Sequence, residues 1–298
     1  MTQKEPVRWV RPDLACITAP NPGPMTGDGT NTYIVGSKDV IIIDPGPNNE
    51  THLRRILNIL PSDGTVEKII VTHSHVDHTS LARRLSDKTG APVHAWTGER
   101  QPVRGFEGFD IRTVGGGEGV DGQFRPDGSL TDCQVLNVEG RQLQVVHTPG
   151  HLHDHICLRW PEAGIAFTGD HVMAWSTSII SPPDGDMGDY MRSLEKLSKF
   201  SEEYFLPGHG NAISNGHARI DELASHRRTR EAAILRALVL SPQPLKALTK
   251  TVYADVPAHL HGAAARNVLA HLLNLVDCGK VRFAGGQKID ELLFLPEI

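Results

Sequence analysis

Short apolar runs separated by turn formers fill the first two thirds of this chain, and helical spacing takes over after residue 212. Val40-Ile41-Ile42-Ile43 and Ile69-Ile70-Val71 are unbroken β-branched runs, the pattern of strands covered on both faces. Residues 30–35, 93–96, 143–146, 165–168 and 204–206 read as further strands, and residues 6–20 alternate loosely enough to begin a sheet. Two segments have a helical stripe: His52 to Leu60, through Leu53, Ile56, Leu57 and Leu60, and Asp189 to Phe200, through Tyr190, Leu194, Leu197 and Phe200. A third, Leu81 to Leu85, stops at Gly90. Strands alternating with helices predict an α/β fold. Residues 97–130, rich in Gly and charge and containing the run 115–119, read as a surface loop, with a lid over the site as the alternative.

The last part follows a different plan. Residues 218–240 form one long helix or two, and Ser241-Pro242-Gln243-Pro244 breaks the pattern. Helices are expected at 245–253 and 259–278, and a hairpin from the apolar runs around 281–284 and 291–295. Three helices and a hairpin make a winged-helix pattern, so the expected division is a catalytic domain over 1–225 and a winged-helix-like domain over 226–298.

Charge sharpens this division only mildly. The 298 residues have a net charge of −5. Residues 226–298 hold 10 Lys and Arg against 6 Asp and Glu, a net of +4, and residues 1–225 have a net of −9. Cys16, Cys133, Cys157 and Cys278 form no CxxC pair, which predicts reduced thiols and a cytoplasmic protein. Met1 to Pro6 has no apolar leader character, and no run of about 18 apolar residues predicts a membrane span. A homo-oligomer is left open.

The chemistry concentrates at His73-Ser74-His75-Val76-Asp77-His78, on the turn between the strand ending at Thr72 and the following helix. Imidazole and carboxylate together suit zinc, with iron or manganese as alternatives. One turn cannot wrap all four groups around a single ion. His73 and His75 can share one, while Asp77 and His78 turn the other way, which predicts two metals with ligands from elsewhere. Three more apolar runs end on candidates: 143–146 at His147, 165–168 at Asp170 and 204–206 at His209. Each has Gly or Pro close by, which allows sharp turns toward a common site.

HSHVDH at 73–78, HTPGH at 147–151, TGD at 168–170 and PGHG at 207–210 together resemble the signature of the metallo-β-lactamase-fold hydrolases. Asn21-Pro22-Gly23-Pro24, Gly29-Thr30-Asn31-Thr32-Tyr33, Pro182-Pro183-Asp184-Gly185-Asp186 and the helical tail resemble the lactamase-beta-2-like subgroup. The resemblance implies an αββα sandwich with a small C-terminal winged-helix domain. It also implies His73, His75 and His147 on a first metal, Asp77, His78 and His209 on a second, and Asp170 bridging them. Two cations would lower the pKa of a shared water from about 15.7 to near 7, and the bridging hydroxide would attack an electrophilic centre. Asp77 would orient it or take its proton. His151 and His171 are weighed as hydrogen-bonding supports, Asp44 as support for a ligand His, and Tyr190 as a substrate contact or core residue.

The fold leaves the substrate open. The expected function is a dinuclear zinc hydrolase of a small acyl substrate, a thioester, lactone or β-lactam-like amide. An acidic first domain offers little attraction to a polyanion. A basic tail keeps a metal-dependent endoribonuclease on single-stranded RNA as the alternative, and a non-catalytic winged-helix binding protein is the third.

Overall fold

The computed structural model describes residues 7–99, 106, 109–114, 119–254, 257, 261–286 and 288–297. Seven strands form the first sheet in chain order: β1 (Val7–Arg11), β2 (Leu14–Thr18), β3 (Asn31–Val35), β4 (Val40–Ile43), β5 (Val66–Ile70), β6 (Val93–Trp96) and β7 (Gly128–Leu130). Pairing is antiparallel from β1 to β4 and parallel from β4 to β7. The helices α1 (Glu50–Ile59), α2 (Val76–Thr79) and α3 (Ala82–Thr89) connect the parallel strands. Asn49 caps α1 by accepting from His52 N at 3.0 Å. Leu53 and Ile56 of α1 and Leu85 of α3 bury against Ile42 and Ile69, covering the sheet's outer face.

The second sheet runs in the order β12–β11–β10–β9–β8. Its strands are β8 (Val135–Val138), β9 (Arg141–His147), β10 (Ile156–Trp160), β11 (Ile165–Gly169) and β12 (Tyr204–Pro207). Tyr33, Ile43 and Ile70 of the first sheet meet Leu143, Leu158, Phe167 and Leu206 of the second. The Tyr33 ring stands edge-on to Phe167 with centroids 5.2 Å apart. On the far side, α4 (Met187–Leu197) packs Tyr190, Leu194 and Leu197 against Val146, Cys157 and Phe205. Helix, sheet, sheet and helix give the αββα sandwich. No helix among the described residues is long and apolar enough to cross a membrane.

A single helix, α5 (Gly216–Leu240), runs through the expected boundary at 226. Its first half buries Ile220 and Leu223 in the α4 layer. Its second half buries Ile234 and Leu238 with α6 (Leu245–Val252) and α7 (His261–Asp277). A three-stranded sheet of β13 (Gln243–Pro244), β15 (Leu293–Pro296) and β14 (Val281–Gly285) completes the winged helix.

Residues 97–130 are more than the expected surface loop. Their end supplies β7, residues Ile111–Val114 form a 3-10 helix, and Phe106 and Phe109 are buried in the C-terminal core. Phe106 stacks on Phe283 at 4.6 Å. Two aromatic side chains cost too much exposed area to leave in water. Of the Gly-rich run, 115–118 lie outside the described residues.

Glu139 ties the two sheets at the end away from the His-rich turn. It sits with φ 47° beside Gly140 (φ 78°) in the two-residue turn joining β8 to β9. Its carboxylate accepts from the backbone N–H groups of Ser37, Lys38 and Asp39 at 2.6–3.0 Å. Arg141 donates to it at 2.7 Å and to Asp13 at 2.9 Å. The N–H groups of Asp39, Ser37 and Lys38 lower the Glu139 carboxyl from its ordinary 4.5 to about 2. A depressed carboxyl contributes stability fully present above its unfolded value and lost as pH falls through the folded one. Glu139→Gln should therefore lower the thermal midpoint at pH 7 and show a shallower loss than wild type between pH 4.5 and 2. Parallel melting curves with equal slopes in that window would show that this contact does not couple to folding.

Candidate metal centre

The site lies at one edge of the sandwich, where β4, β5, β11 and β12 release the chain into tight turns. β5 leads through Val71 and Thr72 into His73 and His75, and α2 carries Asp77 and His78. β11 ends at Asp170 and β12 at the turn holding His209. Two groups of side chains converge: His73, His75, His151 and Asp170, and, beside them, Asp77, His78 and His209. Within each group the ligand atoms lie within 4.8 Å of one another.

Imidazole nitrogens face one another in both groups. His75 Nδ1 lies 3.0 Å from His73 Nε2 and 3.0 Å from His151 Nε2, and His78 Nε2 lies 3.3 Å from His209 Nε2. The opposite nitrogen of four of these rings is occupied, which assigns the tautomer. His73 Nδ1–H donates to Thr72 Oγ1 at 3.0 Å, and Thr72 Oγ1–H donates to Asp44 at 2.8 Å. His78 Nδ1–H donates to the other side of the same network, Asp44 Oδ2, at 2.9 Å. His209 Nδ1–H donates to Gly29 O at 3.2 Å and His151 Nδ1–H to Ile179 O at 2.7 Å. In all four it is Nε2 that faces inward.

Asp170 stands between the groups. Its Oδ2 lies 3.7 Å from His151, 3.9 Å from His73 and 3.3 Å from His209, and its Oδ1 lies 3.6 Å from His78. Oδ1 is buried without a hydrogen-bond partner. There is no spare volume beside it: a Cβ on Gly208 would fall 2.6 Å from Asp170 Oδ1 and 2.8 Å from His78. His155 holds the Asp170 backbone, accepting from its N–H at 3.1 Å through Nε2 while Nδ1–H donates to Thr148 Oγ1 at 2.9 Å.

The charge balance differs between the groups. Burial, reinforced by neighbouring His78, lowers His73 well below its ordinary value, and burial with His151 brings His75 down to about 3. Both are neutral and ready to donate electron pairs. Burial also acts against His78 and His209, but the carboxylates of Asp77, Asp44 and Asp170 bring His78 up to about 9, and those of Asp170 and Asp77 bring His209 up to about 11. Burial works against ionising Asp77 and Asp170, and the surrounding imidazoles outweigh it and lower both. Protons on His78 and His209 thus stand where three carboxylates call for positive charge. Neutral imidazoles, ionised carboxylates and an unpartnered buried oxygen are the donor set that fits a pair of divalent cations.

His147 does not join either group, and this corrects the expected ligand set. It shares strand parity with Leu143 and Val145, whose side chains face between the sheets. There its ring stacks on Trp96 at 3.7 Å and Nε2–H donates to His153 O at 2.8 Å. His151, expected only as a support, stands in its place beside His73, His75 and Asp170. Gly150, at φ 141°, makes the turn that carries it there and packs directly on α4, where a Cβ would fall 2.4 Å from the Tyr190 backbone. Asp44, weighed as support for a ligand His, accepts from His78 at 2.9 Å. Tyr190 is fully buried and donates to His171 O at 3.2 Å, so it does not face substrate. His171 is buried against Tyr190 and stays outside both groups.

Several supporting residues escaped the sequence reading. Thr30 donates to Asp77 Oδ2 at 2.9 Å and is itself held by Asn21. Asn31 donates to Pro207 O and Gly210 O, and Tyr33 to Pro207 O at 2.7 Å, so the Gly29–Tyr33 stretch clamps the turn carrying His209. The sequence signal was there, in polar residues at the start of an otherwise buried strand, but its partners lie more than 170 positions away.

Comparison with known proteins agrees with this fold. The Metallo-beta-lactamase superfamily model matches residues 25–209, and the Beta-lactamase associated winged helix domain model matches residues 245–288. The chain is similar to a beta-lactamase-like protein 2 homolog of Drosophila melanogaster, 34% identical over 270 residues, covering 88% of this chain and 87% of that one. It is 28% identical over 266 residues to an atrochrysone carboxyl ACP thioesterase of Aspergillus chevalieri, covering 88% and 77%. Its fold matches the crystal structure of a beta-lactamase domain protein from Burkholderia ambifaria with a TM-score of 0.79 at 20% identity, covering 98% and 93%.

Exchanging the two histidines of the HTPGH turn separates the alternatives. His151→Ala should lower the bound divalent metal and His147→Ala should leave it unchanged, as read by elemental analysis after dialysis against limiting zinc. The opposite pattern would return His147 to the ligand set.

Proposed function

This chain belongs to the metallo-beta-lactamase superfamily and is a hydrolase of that fold, and from that premise we propose a dinuclear zinc enzyme acting on a small acyl substrate such as a thioester, lactone or lactam-like amide. The observation that carries the proposal is the buried Asp170 carboxylate between two converging ligand groups. His73, His75 and His151 would hold one ion, Asp77, His78 and His209 the other, and Asp170 both. When bound, two such cations supply Lewis acidity toward a carbonyl oxygen and a strongly acidified water.

The chain's own residues supply the rest. Asp77 is the most open of the acidic groups, with 23% of its side chain exposed against 10% for Asp170. A carboxylate lowered as far as Asp77 is a poor store for a proton. Its role is to accept a hydrogen bond from the attacking water and orient it, with Thr30 fixing Oδ2. Asp44 and Thr72 keep His73 and His78 in register on either side.

An acyl substrate is supported by the rim of the site. Trp175 is 46% exposed and lies against Gly27 and against Gly210, the residue after His209. Val76, the residue after His75, is also exposed. Apolar side chains beside both turns suit the hydrocarbon part of an ester better than a charged sugar–phosphate backbone. The relative named as a carboxyl ACP thioesterase points to the same class. Four free thiols, two of them buried, fit a cytoplasmic setting.

Asp77→Ala should lower kcat/KM on acyl substrates by about 10²–10⁴-fold with little change in melting temperature. A chelator should abolish turnover and zinc should restore it. The check is turnover of a thioester, a lactone, a chromogenic β-lactam and a fluorogenic single-stranded RNA by wild type and Asp77→Ala side by side. RNA cleavage lost in the variant, with the acyl substrates inert, would replace the proposal with a ribonuclease.

A further inference from the structure

Residues 178–181 form a short strap that passes between the first ligand group and the C-terminal helices. On the metal side, Ile179 O accepts the Nδ1–H of His151 at 2.7 Å. The Ser178 hydroxyl donates to Asp170 O and, at 3.0 Å, to His171 O. Two ligands of one group therefore lean on the strap, one through its side chain and one through its backbone.

From the other side the strap is held by α5 and α7. Arg227 donates to Ser178 O through one terminal nitrogen and to Asn267 Oδ1 at 3.0 Å through the other. Asn267 Oδ1 also accepts from Ile180 N at 3.3 Å, while its Nδ2 donates to Ala263 O at 3.1 Å. Arg266 donates to Ser181 Oγ at 3.2 Å. Arg227 is 2% exposed, and its guanidinium lies 5.3 Å from the Tyr190 ring. A buried guanidinium requires fixed acceptors, and a fork offers them in one geometry only.

We propose that Arg227 and Asn267 are positioning residues for the first metal: the C-terminal helices fix the strap so that the Ile179 carbonyl holds His151 with Nε2 aimed at the ion. This gives the winged-helix extension a direct part in building the active site. The inference rests on the reading that His73, His75, His151 and Asp170 bind a metal. The second group depends instead on Asp44, Gly29 and Thr30, which belong to the first sheet and its turns. The clamp therefore acts on the first ion through both His151 and Asp170, and reaches the second only through the Asp170 backbone.

Cobalt titration of the full chain tests this, with the visible ligand-field bands as the readout. A His209→Ala background disables the second group and isolates the first. There, Asn267→Ala should weaken cobalt binding by about 10–100-fold and shift the bands. Asn267→Asp, which keeps the acceptor for Ile180 N–H and Arg227, should restore most of the affinity. In a His73→Ala background, which leaves the second group, Asn267→Ala should weaken binding by less than about threefold, and an equal loss in both backgrounds would overturn the inference. Folded Asn267→Ala protein with wild-type affinity and bands would overturn the inference. Wild type that binds no cobalt would sink the two-group reading instead. Hydrogen exchange on the unmutated chain gives a test that needs no variant. By reciprocity, metal at the first group must steady the clamp, so the Ile180 amide should exchange more slowly on loading than amides of β15. Equal slowing at both places would also overturn the inference.

Discussion

A carboxylate with an unpartnered oxygen, buried among imidazoles at the end of a strand, is the constraint around which this molecule is arranged. Asp170 is 7% exposed, and an isolated charge at that depth would be unstable by several kcal/mol. The surroundings answer in three ways. Five histidines crowd it, the His155 ring accepts its backbone N–H, and Gly208 gives it room that any side chain would take. The carboxylate stays ionised because the charge it needs nearby is built into the site, as protons on His78 and His209 when no cation is there.

Orientation is the second demand, since an imidazole is useful only if the correct nitrogen faces inward. Each of four rings meets this with a different acceptor: a threonine hydroxyl, a carboxylate, and two backbone carbonyls from distant turns. Asp44 serves two of them at once, directly for His78 and through Thr72 for His73. It sits at φ 51°, an uncommon conformation for a residue other than glycine. That backbone turn at the end of β4 aims its carboxylate at both Thr72 and His78. The two side-chain groups are thereby coupled through one residue that belongs to neither.

Much of this was legible in the chain because a buried strand followed by a tight turn is a local pattern. The apolar runs ending at Thr72, Thr168 and Leu206 foretell where His73, Asp170 and His209 emerge, and the structure brings those three together. The HTPGH turn misled for a physical reason. Two histidines four residues apart flank a Pro-Gly turn, and periodicity assigns neither to the site. The parity of β9 turns His147 toward Trp96, and the left-handed Gly150 swings His151 inward. Parity against a neighbouring sheet is a tertiary fact. Phe106 and Phe109 were hidden likewise, since their partner Phe283 lies about 175 residues further along. The domain division expected at 226 marks a change of composition, and α5 runs across it because both of its halves find apolar partners.

The charge asymmetry that set the C-terminal part apart also takes a different meaning in three dimensions. Ten basic residues in 73 suggest a surface for a polyanion. Six of them are engaged within the fold. Arg227 is buried on the strap, Arg266 reaches Ser181, and Arg230 bonds the Val252 carbonyl and lies over Tyr253. Lys280, Arg282 and Lys288 pair with Glu231, Glu297 and Glu291. Pairs of the exposed kind contribute little stability each, and each sets a carboxylate beside the cation that a polyanion would contact. The arginines on α5 and α7 act over a shorter range, on backbone carbonyls, a side-chain amide and a hydroxyl beside His151 and Asp170. A net charge read along the chain counts every arginine as outward, and here the one that matters most for the site points in.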